Sequence, residues 1–281
     1  MAKLQLSAFS DEYADSFSDQ LEAMNRLEID YIELRFVDKK NVAELTATEV
    51  KQTADMLRAA GIRVSAIGSP LGKVAVDSNL QEHLELTKRL CETACRMDTK
   101  LMRIFSFYLP KGEVPEQFRN QVIDRLGQML DVADSFGIQL CHENEADIYG
   151  ETPQRCLELM EAMGGRLKCV FDMGNFAFCG YSPYPQAYEK LKPYLGYFHI
   201  KDALSAGAIV PPGKGEAQIS EILKDYQKTG EKDTFITLEP HLQTFSGLNA
   251  LVGKSFDNPY KFENQQVAFE EALRCLKEVL A

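Results

Sequence analysis

Short apolar runs followed by helical patterns recur eight times along this chain, and that alternation constrains the fold more than any other feature. The runs are Leu4–Phe9, Tyr31–Arg35, Arg63–Gly68, Leu101–Phe105, Ile138–Glu143, Lys168–Asp172, Tyr197–Lys201 and Thr234–Glu239. Helical periodicity fills Phe17–Leu27, Ala47–Ala60, Leu80–Met97, Gln117–Phe136, Pro153–Met163, Pro185–Leu191, Ala217–Lys228 and Gln266–Leu280. Parallel strands need crossover connections, so strands alternating with helices predict a parallel sheet. Eight complete units predict that the sheet closes into an α/β fold of the (β/α)8 TIM-barrel kind, with residues 1–281 as one domain. An open, doubly wound sheet is the alternative, but no glycine fingerprint follows the first run. Ser16, Thr46, Thr152 and Ser182 stand where helix caps are expected, and Gly61, Gly137, Gly164 and Gly230 follow helix ends.

A barrel strand turns one face to the helices and the other into the barrel. Ile32 and Leu34 oppose Glu33 and Arg35, Met102 and Ile104 oppose Arg103, and Phe198 and Ile200 oppose His199 and Lys201. The polar set is therefore expected inside, with its charged members near the C-terminal strand ends. That end is where barrel enzymes carry their active sites.

Four residues of metal-ligand type close four successive runs: Glu143, Asp172, His199 and Glu239. Three carboxylates at close range repel one another unless a cation lies between them. One imidazole with carboxylate oxygens suits a single divalent ion, Mn²⁺, Co²⁺, Mg²⁺ or Zn²⁺. The plainer account makes each a buried strand end paired with Arg35, Arg103 or Lys201; four together favour the metal.

The segments His142-Glu143-Asn144, Phe171-Asp172-Met173-Gly174-Asn175, Phe198-His199-Ile200-Lys201-Asp202 and Leu238-Glu239-Pro240-His241 resemble the xylose isomerase-like TIM-barrel superfamily. That group holds sugar isomerases and epimerases, inosose dehydratases and endonuclease IV. The resemblance implies that Glu143, Asp172, His199 and Glu239 bind the metal. It also implies that Glu143 and Glu239 shuttle a proton on opposite faces of a ketose or related keto-sugar through an enediolate. Arg103, Asn175, Lys201 and His241 are expected to face the substrate. His142, on the opposite strand face from Glu143, is expected to support the ligands from behind. An inosose dehydratase-like lyase is the alternative, since Lys201 beside a metal would help a hydroxyl leave. A sugar-binding barrel without catalysis is a further, weaker one.

Endonuclease IV needs extra histidines, whereas this chain has four, and Asn175 stands where Asp172-x-x-His is expected. His83 reads as a solvated helix residue. The net charge of −11 repels a phosphate backbone, so nucleic acid is not an expected partner. No run approaches the roughly 20 apolar residues of a membrane span. Seven scattered cysteines without a CxxC pair fit a reducing cytoplasm. Gly213-Lys214-Gly215 reads as a tight turn, with phosphate binding as the rarer option. The connection Leu242–Glu263 is long enough to be a lid. Its Phe245, Phe256 and Tyr260 would cover substrate or pack against a second copy, so a homo-oligomer is compatible with the sequence.

Overall fold

A computed structural model describes residues 1–205, 207–243 and 259–281 of the chain. Eight strands pair in parallel: β1 (Leu4–Ala8), β2 (Tyr31–Leu34), β3 (Arg63–Gly68), β4 (Leu101–Ile104), β5 (Gln139–Glu143), β6 (Lys168–Asp172), β7 (Leu195–Ile200) and β8 (Thr234–Leu238). Each strand bonds to its neighbours in sequence, and β8 pairs with β1 from Leu4↔Thr234 to Ala8↔Leu238, which closes the barrel. The helices are α1 (Phe17–Arg26), α2 (Ala47–Ala60), α3 (Leu80–Arg96), α4 (Arg119–Phe136), α5 (Pro153–Ala162), α6 (Met173–Phe178), α7 (Tyr188–Leu191), α8 (Ile219–Thr229) and α9 (Gln265–Leu280). No helix among the described residues is long and apolar enough to cross a membrane.

Local chemistry explains the boundaries. Ser16 and Thr152 accept the backbone amides of Asp19 and Arg155, and Thr46 with Glu49 forms a reciprocal capping box. Gly61 and Gly137 end α2 and α4 in the left-handed region, where a Cβ is penalised. Gly230 behaves differently, ending α8 in extended backbone. The helix expected from Ala217 starts at Ile219, because the Ala217 amide is held by the Asp202 carboxylate and Gln218 turns left-handed. The helix expected at Pro185–Leu191 is present as a π-helical turn, Pro183–Ala187, that runs into α7, whereas α6 directly after β6 has no counterpart among the expected helices. Six residues are too few for a periodic signal.

The larger core lies between strands and helices, for example Ile32, Met102, Leu140, Phe171, Phe198 and Leu238. A smaller cluster of Ala66, Cys141, Val170 and Tyr197 is buried separately. Cys141, Val170 and Tyr197 each precede Glu143, Asp172 and His199 by two positions. Side chains two apart share a strand face, so the cluster floors the barrel and the ligand-type residues form the next layer.

Candidate metal centre

One ligand atom from each of Glu143, Asp172, His199 and Glu239 can be chosen so that all lie within 4.8 Å of one another, and all four residues are buried. Strand pairing sets this height: Asp172 aligns with His199, and Thr237, two before Glu239, aligns with His199 from the other side. Asn144 ties the ends of β5 and β6 together, donating to the Asp172 carbonyl and accepting its amide at 2.8 and 3.0 Å. Asp172 also caps α6, its Oδ1 accepting the Asn175 amide at 2.7 Å.

His199 is held on several sides. Its Nε2 lies 3.0 Å from Glu33 Oε2, and its ring meets Phe9 and Tyr197 edge-on, with centroids 5.2 and 5.5 Å away. Nδ1 lies 3.2 Å from Glu143 Oε1 and 3.3 Å from Glu239 Oε2, yet forms no hydrogen bond of good geometry. Asp172 Oδ2 is likewise without a hydrogen bond, although the Lys201 ammonium lies 3.0 Å away. A buried imidazole nitrogen without a hydrogen bond, among three carboxylates, is the donor set a divalent cation takes.

The electrostatics point the same way. Asp11, Glu12, Glu33, Glu143, Asp172 and Glu239 are all buried, and the permanent cations paired with them are Arg35, Arg103 and Lys201. Burial and the Glu143 and Glu239 charges push Asp172 up to about 7, against the pull of Lys201. Burial alone would raise Glu143, but His199 and Arg103 hold it down to about 2. Glu239 is held well below the usual range despite burial, by Lys201 first and by His199. Burial disfavours a charged His199, yet Glu33 and Glu143 drive its pKa well above the ordinary value. Without a metal, a proton on His199 supplies part of the missing positive charge.

The other residues singled out in the sequence take distinct places. Arg103 Nη1 donates to Glu143 Oε2 at 3.1 Å, and Asn175 Nδ2 donates to Glu143 Oε1 at 3.2 Å. Lys201 Nζ donates to Glu239 Oε2 at 3.2 Å. His241 Nε2 lies 3.3 Å from Glu12 and 3.4 Å from Glu239. Its pKa is driven well below the ordinary value, by burial first and then by Lys201. Asn175, Lys201 and His241 line a cavity of about 740 Å³ at the mouth of the barrel, with Lys73, Tyr108 and Glu145 among its other walls. His142 pairs with Ser106 Oγ at 2.9 Å and hydrogen-bonds none of the four ligand-type residues; burial lowers its pKa to about 4.

Three features escaped the sequence. Asp11 and Glu12, in a 3-10 turn after β1, reach in to Arg35, which also binds Glu239. The acidic pair at the end of the first strand was the available signal. Glu12, Glu239 and His241 form a second close group, but Arg35 already bridges its two carboxylates with a guanidinium. Glu33 was legible as an interior residue but not as the partner of His199. A correction concerns His83: it is buried, and its Nε2 accepts the Gly72 amide at 3.0 Å, because the loop after β3 folds over α3.

Gly213 and Gly215 donate their amides to the Asp202 carboxylate at 2.7 and 2.9 Å, so the Gly-Lys-Gly segment is a turn organised by an internal anion. Of the expected lid, Phe245 and Phe256 lie outside the described residues; Tyr260 is exposed.

Solved structures share this architecture over nearly its whole length at low identity. IOLI protein with a bound zinc atom aligns with a TM-score of 0.77 at 17% identity, covering 99% of this chain and 98% of that one. D-psicose 3-epimerase of Clostridium cellulolyticum H10, solved with D-tagatose, aligns at 0.76 and 13%, covering 99% of each. The probable 3-DHS dehydratase AsbF of Bacillus anthracis aligns at 0.72 and 18%, covering 98% of each. No curated protein sequence matches the chain. At these identities the likeness establishes the fold alone. The sequence itself goes further: residues 21–279 match the family as a sequence pattern, and the chain belongs to the xylose isomerase-like TIM barrel family.

Proposed function

We propose that this protein is a metal-dependent isomerase or epimerase of a ketose or related keto-sugar, with Glu143, Asp172, His199 and Glu239 holding one divalent ion. The observation that carries the proposal is His199 Nδ1, buried without a hydrogen bond among those three carboxylates. A divalent ion held there would act as a Lewis acid on adjacent carbonyl and hydroxyl oxygens of a substrate.

The protein supplies the rest. Glu143 and Glu239 are both kept ionised by their cationic neighbours, so either can accept a proton. One removes the proton beside the carbonyl and keeps it, while the other, once it carries a proton taken up from solvent, delivers that proton to the opposite face of the enediolate. Asn175, Lys201 and His241 border both the cavity and the carboxylates, which suits them to orient substrate hydroxyls. Arg103 lies behind Glu143 and sets its position and charge. The zinc bound to IOLI protein and the D-tagatose with which the D-psicose 3-epimerase was solved support this reading by analogy.

A lyase is the second reading, favoured by Lys201. Its ammonium reaches the cavity while bonded to Glu239, and its pKa stands well above normal despite burial, because Asp172 and Glu239 surround it. It would stabilise a departing hydroxyl as a fixed charge. Incubating metal-loaded protein with a panel of ketoses and inososes separates the two. Isomerisation gives products of unchanged mass, whereas dehydration gives products lacking one water. No product of either kind would overturn both.

A further inference from the structure

We infer that Glu33 is the positioning residue of the metal centre, fixing which nitrogen of His199 is offered to the cation. The inference rests on the proposed metal site and extends it to a residue from the far side of the barrel.

Glu33 lies on β2, where pairing with β3 slips by one residue between Ile32 and Glu33. Such an irregularity re-aims a side chain, and Glu33 is completely buried within the barrel. Both of its oxygens are used: Oε1 accepts the Tyr197 hydroxyl at 3.0 Å, and Oε2 faces His199 Nε2 at 3.0 Å. With Oε1 already accepting the Tyr197 hydroxyl, Oε2 is the oxygen aimed at the ring, and the geometry assigns the His199 proton to Nε2. The neutral ring then presents its lone pair at Nδ1, the atom beside Glu143 and Glu239. Tyr197 shares the strand face of His199 and locks the carboxylate from below, while Phe9 restricts the ring. Carboxylates bonded to a ligating histidine orient the ring and raise its basicity, and losing one typically weakens metal binding about 10–100-fold.

The hydrogen bonds of Glu33 run to Tyr197 and His199, so its effect on a substrate is indirect. It acts through His199.

The test titrates chelator-stripped wild type, Glu33→Gln, Glu33→Ala and Tyr197→Phe with Mn²⁺ and Co²⁺. It reads the dissociation constant against a competing chelator and the visible spectrum of the Co²⁺ form. Glu33→Ala is expected to bind about 10–100-fold more weakly than wild type, with a changed Co²⁺ spectrum. Glu33→Gln, which keeps an acceptor for Nε2–H but not the charge, should recover part of that loss. Tyr197→Phe leaves the Glu33–His199 contact in place and should stay closer to wild type than either. Equal affinity and an unchanged spectrum in both Glu33 variants would overturn the inference while leaving the metal site intact. Failure of the wild type to bind either ion would remove the site itself. If the alanine variant does not fold, the glutamine variant, nearly equal in volume, decides alone.

Discussion

Glu33 and His199, 166 positions apart in sequence, meet 3.0 Å apart at the centre of the barrel. The contact exists only because β2 and β7 face one another across a closed sheet. Around it the chain places more buried carboxylate than its arginines and lysine offset, and the proposed cation completes the balance.

Glu143→Gln and Glu239→Gln should each lower kcat on the active substrate by roughly 10²–10⁴-fold, the usual contribution of a positioned proton acceptor. Metal content must be measured alongside, since both residues are proposed ligands. Full turnover in either variant sinks the two-carboxylate mechanism.

Asp172→Ala should lose bound metal, whereas Lys201→Met should keep it. Lys201 lies on Asp172 Oδ2 and Glu239 Oε2, so in the empty site its ammonium competes with a divalent ion for those oxygens. Removing it should leave metal affinity equal or higher while lowering turnover about 10²-fold, as expected for a lost electrostatic contact. Elemental analysis with steady-state kinetics checks both. A Lys201→Met protein that loses its metal would contradict this division of roles.

Metal uptake should release protons. His199 is protonated in the metal-free protein, because Glu33 and Glu143 outweigh the cost of burying its charge, and ligation needs a neutral ring. Asp172, raised to about 7, adds to the release near neutrality, so affinity should fall as pH drops through that value. Calorimetry in buffers of different ionisation enthalpy counts the protons. A titration whose heat is independent of buffer would be inconsistent with a protonated ring.

The barrel was legible because its signals are periodic. The β3 and β6 ranges read from sequence coincide with the observed strands, and alternation correctly turned Glu33, Arg103 and His199 inward. What escaped was aperiodic or distant. Asp11 and Glu12 sit in a three-residue turn, α6 is too short to show a repeat, and no local pattern encodes a contact between β2 and β7. The burial of His83 is likewise not encoded locally, because a helical repeat does not show that a loop from another unit covers the helix.

His83 also makes a stability prediction remote from the metal centre. Burial, then the nearby Arg125, lowers its pKa from 6.5 to about 4 in the folded protein. The unfolded chain takes up this proton first as pH falls. His83 therefore costs nothing above pH 6.5, costs progressively more between 6.5 and 4, and reaches a plateau below. Linkage bounds the loss at no more than about 3 kcal/mol. Comparing denaturant unfolding of wild type and His83→Gln across that range isolates the contribution. Curves that stay parallel from pH 7 to 4 would show that His83 does not supply it.

Elemental analysis of protein purified without chelators or a metal-affinity tag decides whether Glu143, Asp172, His199 and Glu239 hold an ion. About one Mn, Co, Mg or Zn per chain is expected, lost in Asp172→Ala. Three zinc ions per chain would contradict the mononuclear centre. No metal, even after supplementation with each ion, would contradict the site altogether.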